Sequence, residues 1–75
     1  MNIKSWEKTC DSFPTQYEGV YEDGQPFYFR YRFGLWHVRS SFKSNAVEFG
    51  HGLEGDEYDG EMEEARVMEL VEGAR

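Results

Sequence analysis

Hydrophobic and polar residues alternate in the middle of the chain, in the segment PFYFRYRFGLWHVRSSF at residues 26–42. Alternation with a period of two is typical of a strand that has one buried and one exposed face. The segment predicts two antiparallel strands, over residues 26–33 and 35–42, joined by a two-residue turn of Gly34 and Leu35. A two-faced β-hairpin is therefore the central expectation for this chain.

The register of this hairpin separates its side chains into two sets. The predicted turn places Phe33 opposite Trp36 and Arg30 opposite Arg39, and a slip of one residue would mix the sets. One face is expected to carry the apolar side chains Phe27, Phe29, Tyr31, Phe33, Trp36, Val38 and Phe42. The other face is expected to carry Tyr28, Arg30, Arg32, His37, Arg39, Ser41 and Lys43.

A third strand is predicted over residues 16–22, before a turn of residues 23–25 that begins with an Asp-Gly pair. This turn would place Glu18 opposite Arg30, where its carboxylate would relieve the repulsion between Arg30 and Arg39. The same register would add two further rings to the apolar face, those of Tyr17 and Tyr21.

The two ends of the chain show helical spacing of their apolar residues. Residues 2–13 are predicted to form a short helix, and residues 60–72 a second one that is capped by Asp59 and stopped by Gly73. The apolar stripes are Ile3, Trp6, Cys10 and Phe13 in the first helix, and Met62, Ala65, Met68 and Val71, widened by Val67 and Leu70, in the second.

The segment between the hairpin and the second helix, residues 44–60, is rich in glycine and acidic residues and is predicted to be a loop. Residues 46–49 within it are expected to add a brief fourth strand. The chain is therefore predicted to be a single α+β domain over residues 1–75. A three- to four-stranded antiparallel sheet would carry a short N-terminal helix and a C-terminal helix on one face.

Charge is distributed unevenly along the chain, which has a net charge of −7. Residues 1–26 carry a net charge of −3, residues 27–43 carry +4, and residues 44–75 carry −8. A basic centre thus lies between two acidic flanks, and this asymmetry is the most informative feature of the composition.

Cysteine content and hydropathy limit the class of protein. The single cysteine, Cys10, cannot form an internal disulfide, and no Cys/His cluster indicates a metal or a cofactor. No segment approaches the roughly 20 apolar residues of a membrane span, and the first residues do not resemble a signal peptide. A cytoplasmic protein without membrane contact is expected.

The polar face of the hairpin is the first candidate site, through Tyr28, Arg30, Arg32, His37 and Arg39. Cationic side chains neutralise phosphates and aromatic rings stack on unpaired bases, so this basic-aromatic face could bind single-stranded nucleic acid. The alternative is that these cations pair with acidic residues of the same chain. Binders of nucleic acid are usually basic overall, whereas this chain is acidic.

The acidic segment, residues 54–64, is the second candidate site. It contains seven carboxylates, those of Glu54, Asp56, Glu57, Asp59, Glu61, Glu63 and Glu64. Such a segment could occupy a basic groove that another protein uses for nucleic acid. The alternative is a solvated loop and helix face. The spacing does not match that of an EF-hand, so a calcium site is not expected.

Catalysis is not expected. The candidate groups are Cys10, His37 and His51, but the sequence contains no GxSxG, HExxH or Walker motif and no recognisable nucleophile with its base. Cys10 shares its predicted stripe with Trp6, where a thiol would act as a small apolar group.

The segment PTQYEGVYEDGQPFYFRYRFGLW, residues 14–36, resembles a pattern in small acidic proteins of bacteriophages and mobile elements. The shared features are Tyr-Glu-Gly, a turn, Pro-Phe-Tyr-Phe-Arg-x-Arg and a tryptophan. The resemblance implies a phage-type accessory protein. Proteins of that class often bind a host protein, and they include inhibitors of CRISPR and other defence systems.

The expected function is therefore non-catalytic binding of another macromolecule. The expected partner is a host protein, for example one with a basic groove for nucleic acid. Direct binding of single-stranded nucleic acid is the alternative.

Overall fold

The structure is a computed structural model that describes residues 2–10, 15–41, 45–55 and 62–75. The elements are β1 (Ile3–Cys10), β2 (Thr15–Tyr21), β3 (Pro26–Arg32), β4 (Leu35–Arg39), β5 (Glu48–Leu53) and α1 (Glu64–Gly73). The five strands form one antiparallel sheet in the order β1-β2-β3-β4-β5, so each strand pairs with its neighbours in sequence. With α1 against one face of this sheet, the fold is broadly α+β.

Alternate side chains of β3 point to opposite faces of the sheet. Phe27, Phe29 and Tyr31 are buried, while Tyr28 and Arg30 between them are only half-buried. The prediction that the apolar face of the hairpin forms the core is confirmed for Phe27, Phe29, Tyr31 and Val38. Among the described residues, the buried core consists of Tyr17, Tyr21, Phe27, Phe29, Tyr31, Val38, Val67 and Val71.

Helix α1 covers this aromatic face through two valines one turn apart. Val67 and Val71 are fully buried, and the burial of each contributes about 1.5–3 kcal/mol. Core residues of the sheet also hold both ends of the helical segment. The Thr15 hydroxyl accepts a hydrogen bond from the Met62 backbone N–H at 3.1 Å, and the Tyr21 hydroxyl donates to the Val71 carbonyl at 2.7 Å.

The predicted N-terminal helix is wrong, because residues Ile3–Cys10 form strand β1. β1 is an edge strand of the sheet, and its pairing with β2 places Trp6 opposite Gly19. A helix of this length is marginal unless it packs tightly, whereas a strand gains a ladder of hydrogen bonds with β2. Phe13 of the predicted stripe lies outside the described residues, as does the side chain of Cys10.

The register of the central hairpin differs from the prediction by two residues. The turn consists of Phe33 and Gly34, and it pairs Tyr31 with Trp36. Both turn residues have positive φ angles, 57° and 75°, which is the type I′ conformation that matches the twist of paired strands. A shift of two residues keeps every strand side chain on its predicted face, but it removes Phe33 from the apolar face and leaves its ring exposed.

The shifted registers change which charged side chains are neighbours. Arg30 lies opposite His37, so the predicted pair of Arg30 with Arg39 does not form. The first turn comprises residues 22–24, which places Glu18 opposite Tyr28 and not opposite Arg30. The prediction that Glu18 relieves a repulsion between Arg30 and Arg39 is therefore wrong, because neither pairing forms.

The segment after the hairpin contains a longer strand than predicted. β5 covers Glu48–Leu53, whereas the prediction gave a strand over residues 46–49 and a loop beyond it. The glycines that suggested a loop have a packing role. A Cβ at Gly52 would lie 2.8 Å from the indole Nε1 of Trp36, and a Cβ at Gly50 would lie 2.8 Å from Cβ of Ala74.

The C-terminal helix is confirmed as an element, with different limits. It begins at Glu64 instead of residue 60, it includes Gly73, and Ala65 of the predicted stripe is exposed. Its N-cap is Glu63, which makes no side-chain capping bond. Phe42, Lys43 and Asp59 also lie outside the described residues.

We expect Gly19→Ala to destabilise the protein. A Cβ at Gly19 would lie 2.8 Å from the Phe27 ring and would overlap the backbone carbonyl of Ser5 in β1. The free energy of unfolding in urea should fall by about 1–3 kcal/mol. Gly73→Ala is the control, because nothing lies within 4 Å of its Cβ position and alanine favours a helix by about 0.5–1 kcal/mol. A Gly19→Ala protein as stable as the parent would contradict the pairing of β1 with β2.

We expect the protein to lose stability at alkaline pH through Tyr21. Burial raises the pKa of Tyr21 to about 12. The folded state then holds this proton more tightly than the unfolded state does, so stability is complete below about pH 10 and falls as the pH rises towards 12. The loss should be about 2–3 kcal/mol in pH-dependent urea unfolding.

Tyr21→Phe tests this assignment. The variant should lose much less stability between pH 10 and 12 than the parent does. A smaller dependence on pH should remain from Tyr17, whose pKa is also raised by burial and by Glu64. At neutral pH it should cost about 0.5–1.5 kcal/mol, because the hydrogen bond to Val71 is lost. Equal alkaline slopes in the variant and the parent would refute the role of Tyr21.

Candidate binding surface

The outer face, which we define as the face of the sheet opposite α1, is not covered by any helix or strand in the described part of the chain. All five residues predicted for the basic-aromatic face lie on it, in the adjacent strands β3 and β4: Tyr28, Arg30, Arg32, His37 and Arg39. Strand β5 extends this surface with His51 opposite His37 and with Leu53 opposite Leu35.

Two arginines of the outer face have no carboxylate within ion-pair distance among the described residues, Arg30 and Arg39. The Nε atom of each is buried and has no hydrogen-bond partner in this part of the chain. Arg39 donates one hydrogen bond, to the Ala46 carbonyl at 3.3 Å. Pairing with acidic residues of the same chain, the alternative raised by the sequence, is therefore not seen for these two side chains in the described ranges.

Glu48 is the acidic residue opposite Arg39, yet its carboxylate is engaged by two histidines. The Nδ1 atoms of His37 and His51 lie 2.7 Å and 3.4 Å from its two oxygens. The carboxylate nearest to Arg39 in the ladder is thus already hydrogen-bonded. No group of His, Cys, Asp and Glu side chains among the described residues has the arrangement of a metal site.

Three large apolar side chains lie exposed at one end of the outer face. Phe33 is 51% exposed, Leu35 is 43% exposed and Leu53 is 76% exposed. The guanidinium of Arg32 lies over the Phe33 ring, 4.6 Å from its centroid. A shallow depression of about 180 Å³ lies beside them, lined by Arg30, Arg32, Phe33, Leu35 and His37. We call Phe33, Leu35 and Leu53, together with Arg30 and Arg32, the hairpin-tip patch.

Two of the described acidic residues in the segment 54–64 serve the fold. The Glu54 carboxylate accepts two hydrogen bonds from Arg66, at 2.5 Å and 2.9 Å, and the Glu64 carboxylate accepts one from the Trp6 indole at 2.5 Å. Glu63 is exposed at the helix start. The other acidic residues of the segment lie outside the described residues: Asp56, Glu57, Asp59 and Glu61.

Of the three groups considered for catalysis, the structure describes the side chains of His37 and His51. Both imidazoles lie beside the Glu48 carboxylate. The side chain of Cys10 is outside the described set. Residues that the sequence did not single out, Leu35, Leu53 and Glu48, complete the surface. The sequence did not place Leu53 on this surface because the glycines of β5 predicted a loop there.

We expect Glu54→Gln to destabilise the protein at neutral pH and to flatten its loss of stability in acid. The hydrogen bonds from Arg66 lower the pKa of the Glu54 carboxyl below its ordinary 4.5. The interaction of the Glu54 carboxylate with Arg66 therefore stabilises the fold above pH 4.5, and this stabilisation disappears as the pH falls through the lowered pKa of Glu54. Glu69→Gln is the control, since Glu69 is exposed and makes a single 3.3 Å contact with Arg66. Equal pH profiles in the two variants would contradict the assignment.

None of the helices in the described chain is long and apolar enough to cross a bilayer. The chain matches no protein-family model, no curated protein and no solved structure, so its function is inferred from the geometry of its outer face.

Proposed function

We propose that this chain is a non-catalytic binding protein that docks another protein on the outer face of its sheet. One observation carries the proposal. Arg30 and Arg39 lie on a face that no described element covers, without a described carboxylate to neutralise them. Arginine and aromatic side chains are enriched in protein interfaces and often dominate their binding energy.

The composition of the surface favours a protein partner with an acidic contact region. A net charge of −7 repels a nucleic acid at long range. Leu35 and Leu53 add aliphatic surface, which can pack against protein side chains and offers no ring for stacking on bases. Single-stranded nucleic acid is the second candidate, and the observation in its favour is the ring of Tyr28 on the open sheet beside Arg30 and Arg39.

Two of the three described carboxylates of the acidic segment are already engaged within the chain, which favours the outer face as the docking surface. Glu54 and Glu64 are engaged by Arg66 and Trp6, so these carboxylates are not free to enter the basic groove of another protein. The proposed surface is therefore the outer face. The resemblance to phage proteins supports an accessory or inhibitory role for this protein, directed at a host protein in the host cytoplasm.

Charge reversal tests this function. The double variant Arg30→Glu/Arg39→Glu and the matched control Lys4→Glu/Lys8→Glu change the net charge by the same amount. The control residues lie exposed on β1, and Lys8 pairs with Tyr17 on the other face of the sheet. Each protein is immobilised, proteins captured from a bacterial host lysate are identified by mass spectrometry, and the affinity of the purified partner is then measured.

The parent and the control should capture the same partner, and the arginine variant should bind it at least about tenfold more weakly. Equal binding by both variants would exclude the outer face. A labelled single-stranded oligonucleotide is tested in parallel. If it binds with steep salt dependence and is lost in the arginine variant, while no protein is captured, the nucleic-acid function replaces this one.

A further inference from the structure

In the hairpin-tip patch, a phenylalanine occupies a turn position whose backbone conformation disfavours bulky residues. Phe33 has a φ angle of 57°, in the left-handed region that bulky residues rarely adopt. A type I′ turn prefers asparagine followed by glycine, so phenylalanine at this position makes the hairpin less stable than it could be. The ring is half-exposed and is not part of the buried core. Strain of this kind is typical of positions that display a side chain for function.

The neighbours of Phe33 determine what it can bind. Leu35 and Leu53 form a cross-strand pair with exposed side chains, and the turn places Phe33 beside them. Phe33 and Leu35 line the same depression, and Arg30 and Arg32 border it. In the described chain no carboxylate lies within ion-pair distance of Arg30, so this border is cationic and attracts an anionic group.

The size of the adjacent depression indicates how much of a partner enters it. Its volume of about 180 Å³ is below the range of about 300–1,000 Å³ that is typical of small-molecule pockets. A depression of that size accommodates one large side chain, which is how anchor residues seat in protein interfaces. The lining combines Leu35 and the Phe33 ring with the cationic groups of Arg30 and Arg32.

We propose that the hairpin-tip patch binds a protein segment in which aspartate or glutamate flanks one large apolar side chain. The apolar side chain seats between Phe33 and Leu35, and the acidic groups contact Arg30 and Arg32. This inference rests on the proposed function, and it specifies which part of the outer face is used and what chemistry the partner presents.

A displayed library of random short peptides tests the inference, with the full chain as bait. Three variants are compared with the parent. Phe33→Asn removes the ring and suits the turn, Arg30→Gln removes the charge, and Val47→Ser is the control. Val47 is exposed but lies apart from the patch, beside Gln25 and Phe49. Phe33→Asn should be at least as stable as the parent in urea, so a loss of binding cannot be attributed to unfolding.

The selection should enrich peptides that combine acidic residues with phenylalanine, tryptophan, leucine or methionine. A synthesised peptide of this kind should bind at least about tenfold more weakly to Phe33→Asn and to Arg30→Gln, and equally to Val47→Ser. Its affinity should fall with added salt. No enrichment, enrichment of peptides without acids or without large apolar residues, or equal binding by all variants would overturn the inference.

Two other occupants are separate outcomes that would also overturn it. If a single-stranded oligonucleotide binds the parent but not Phe33→Asn, the patch is assigned to nucleic acid. If the parent dimerises and Phe33→Asn is monomeric, it is assigned to a second copy. If the Arg30/Arg39 variant loses its lysate partner but no peptide is enriched, the proposed function stands and this inference alone fails.

Discussion

The burial of alternate rings along β3 is the constraint on which the rest of the structure depends. Phe27, Phe29 and Tyr31 are sealed beneath α1, and the pleat of the strand then directs Tyr28 and Arg30 to the opposite face. Because the period is two, an exchange of faces would bury the arginine and expose the rings together. A chain of 75 residues without a disulfide has few other sources of stability, so this arrangement is strongly enforced.

The same rings connect the core to the segments that surround it. The Tyr21 hydroxyl bonds the Val71 carbonyl in the last turn of α1, and the Tyr31 hydroxyl bonds the Glu54 carbonyl after β5. Arg66 then links Glu54 back to the helix. Buried hydroxyls need such partners, and these bonds fix the helix relative to the sheet. With α1 packed on one face, the other face is not covered by a helix or strand of the described chain.

The sequence predicted the features that depend on local pattern. The assignment of Arg30 and Tyr31 to opposite faces and the existence of the C-terminal helix follow from periodicities of two and of about 3.6 residues. A register shift of two residues leaves the periodicity unchanged, so the turn at Phe33 and Gly34 could not be distinguished from the predicted one. Its conformation depends on strand twist, which the pattern of apolar residues does not encode.

Other features depend on contacts between segments that are distant in sequence. The apolar residues of β1 have helical spacing, and only the open edge of β2 makes that segment a strand. In the sequence, Gly50 and Gly52 indicate a loop. The structure shows instead that they leave room for the ring of Trp36 and the methyl group of Ala74. The sequence placed Tyr28, Arg30, Arg32, His37 and Arg39 together on the candidate surface, but it did not single out Leu35. The addition of Leu53 required β5, and the finding that no described carboxylate lies within ion-pair distance of Arg30 required the structure.

Tyrosine nitration followed by peptide mapping tests the two-faced sheet most directly, because three tyrosines lie in the core and Tyr28 lies on the outer face. Tyr28 should be modified under native conditions, while Tyr17, Tyr21 and Tyr31 should react only after the protein is unfolded. Native modification of Tyr31 at a rate equal to that of Tyr28 would show that the core face is accessible to solvent. That result would contradict both the fold and the outer-face surface that is inferred from it.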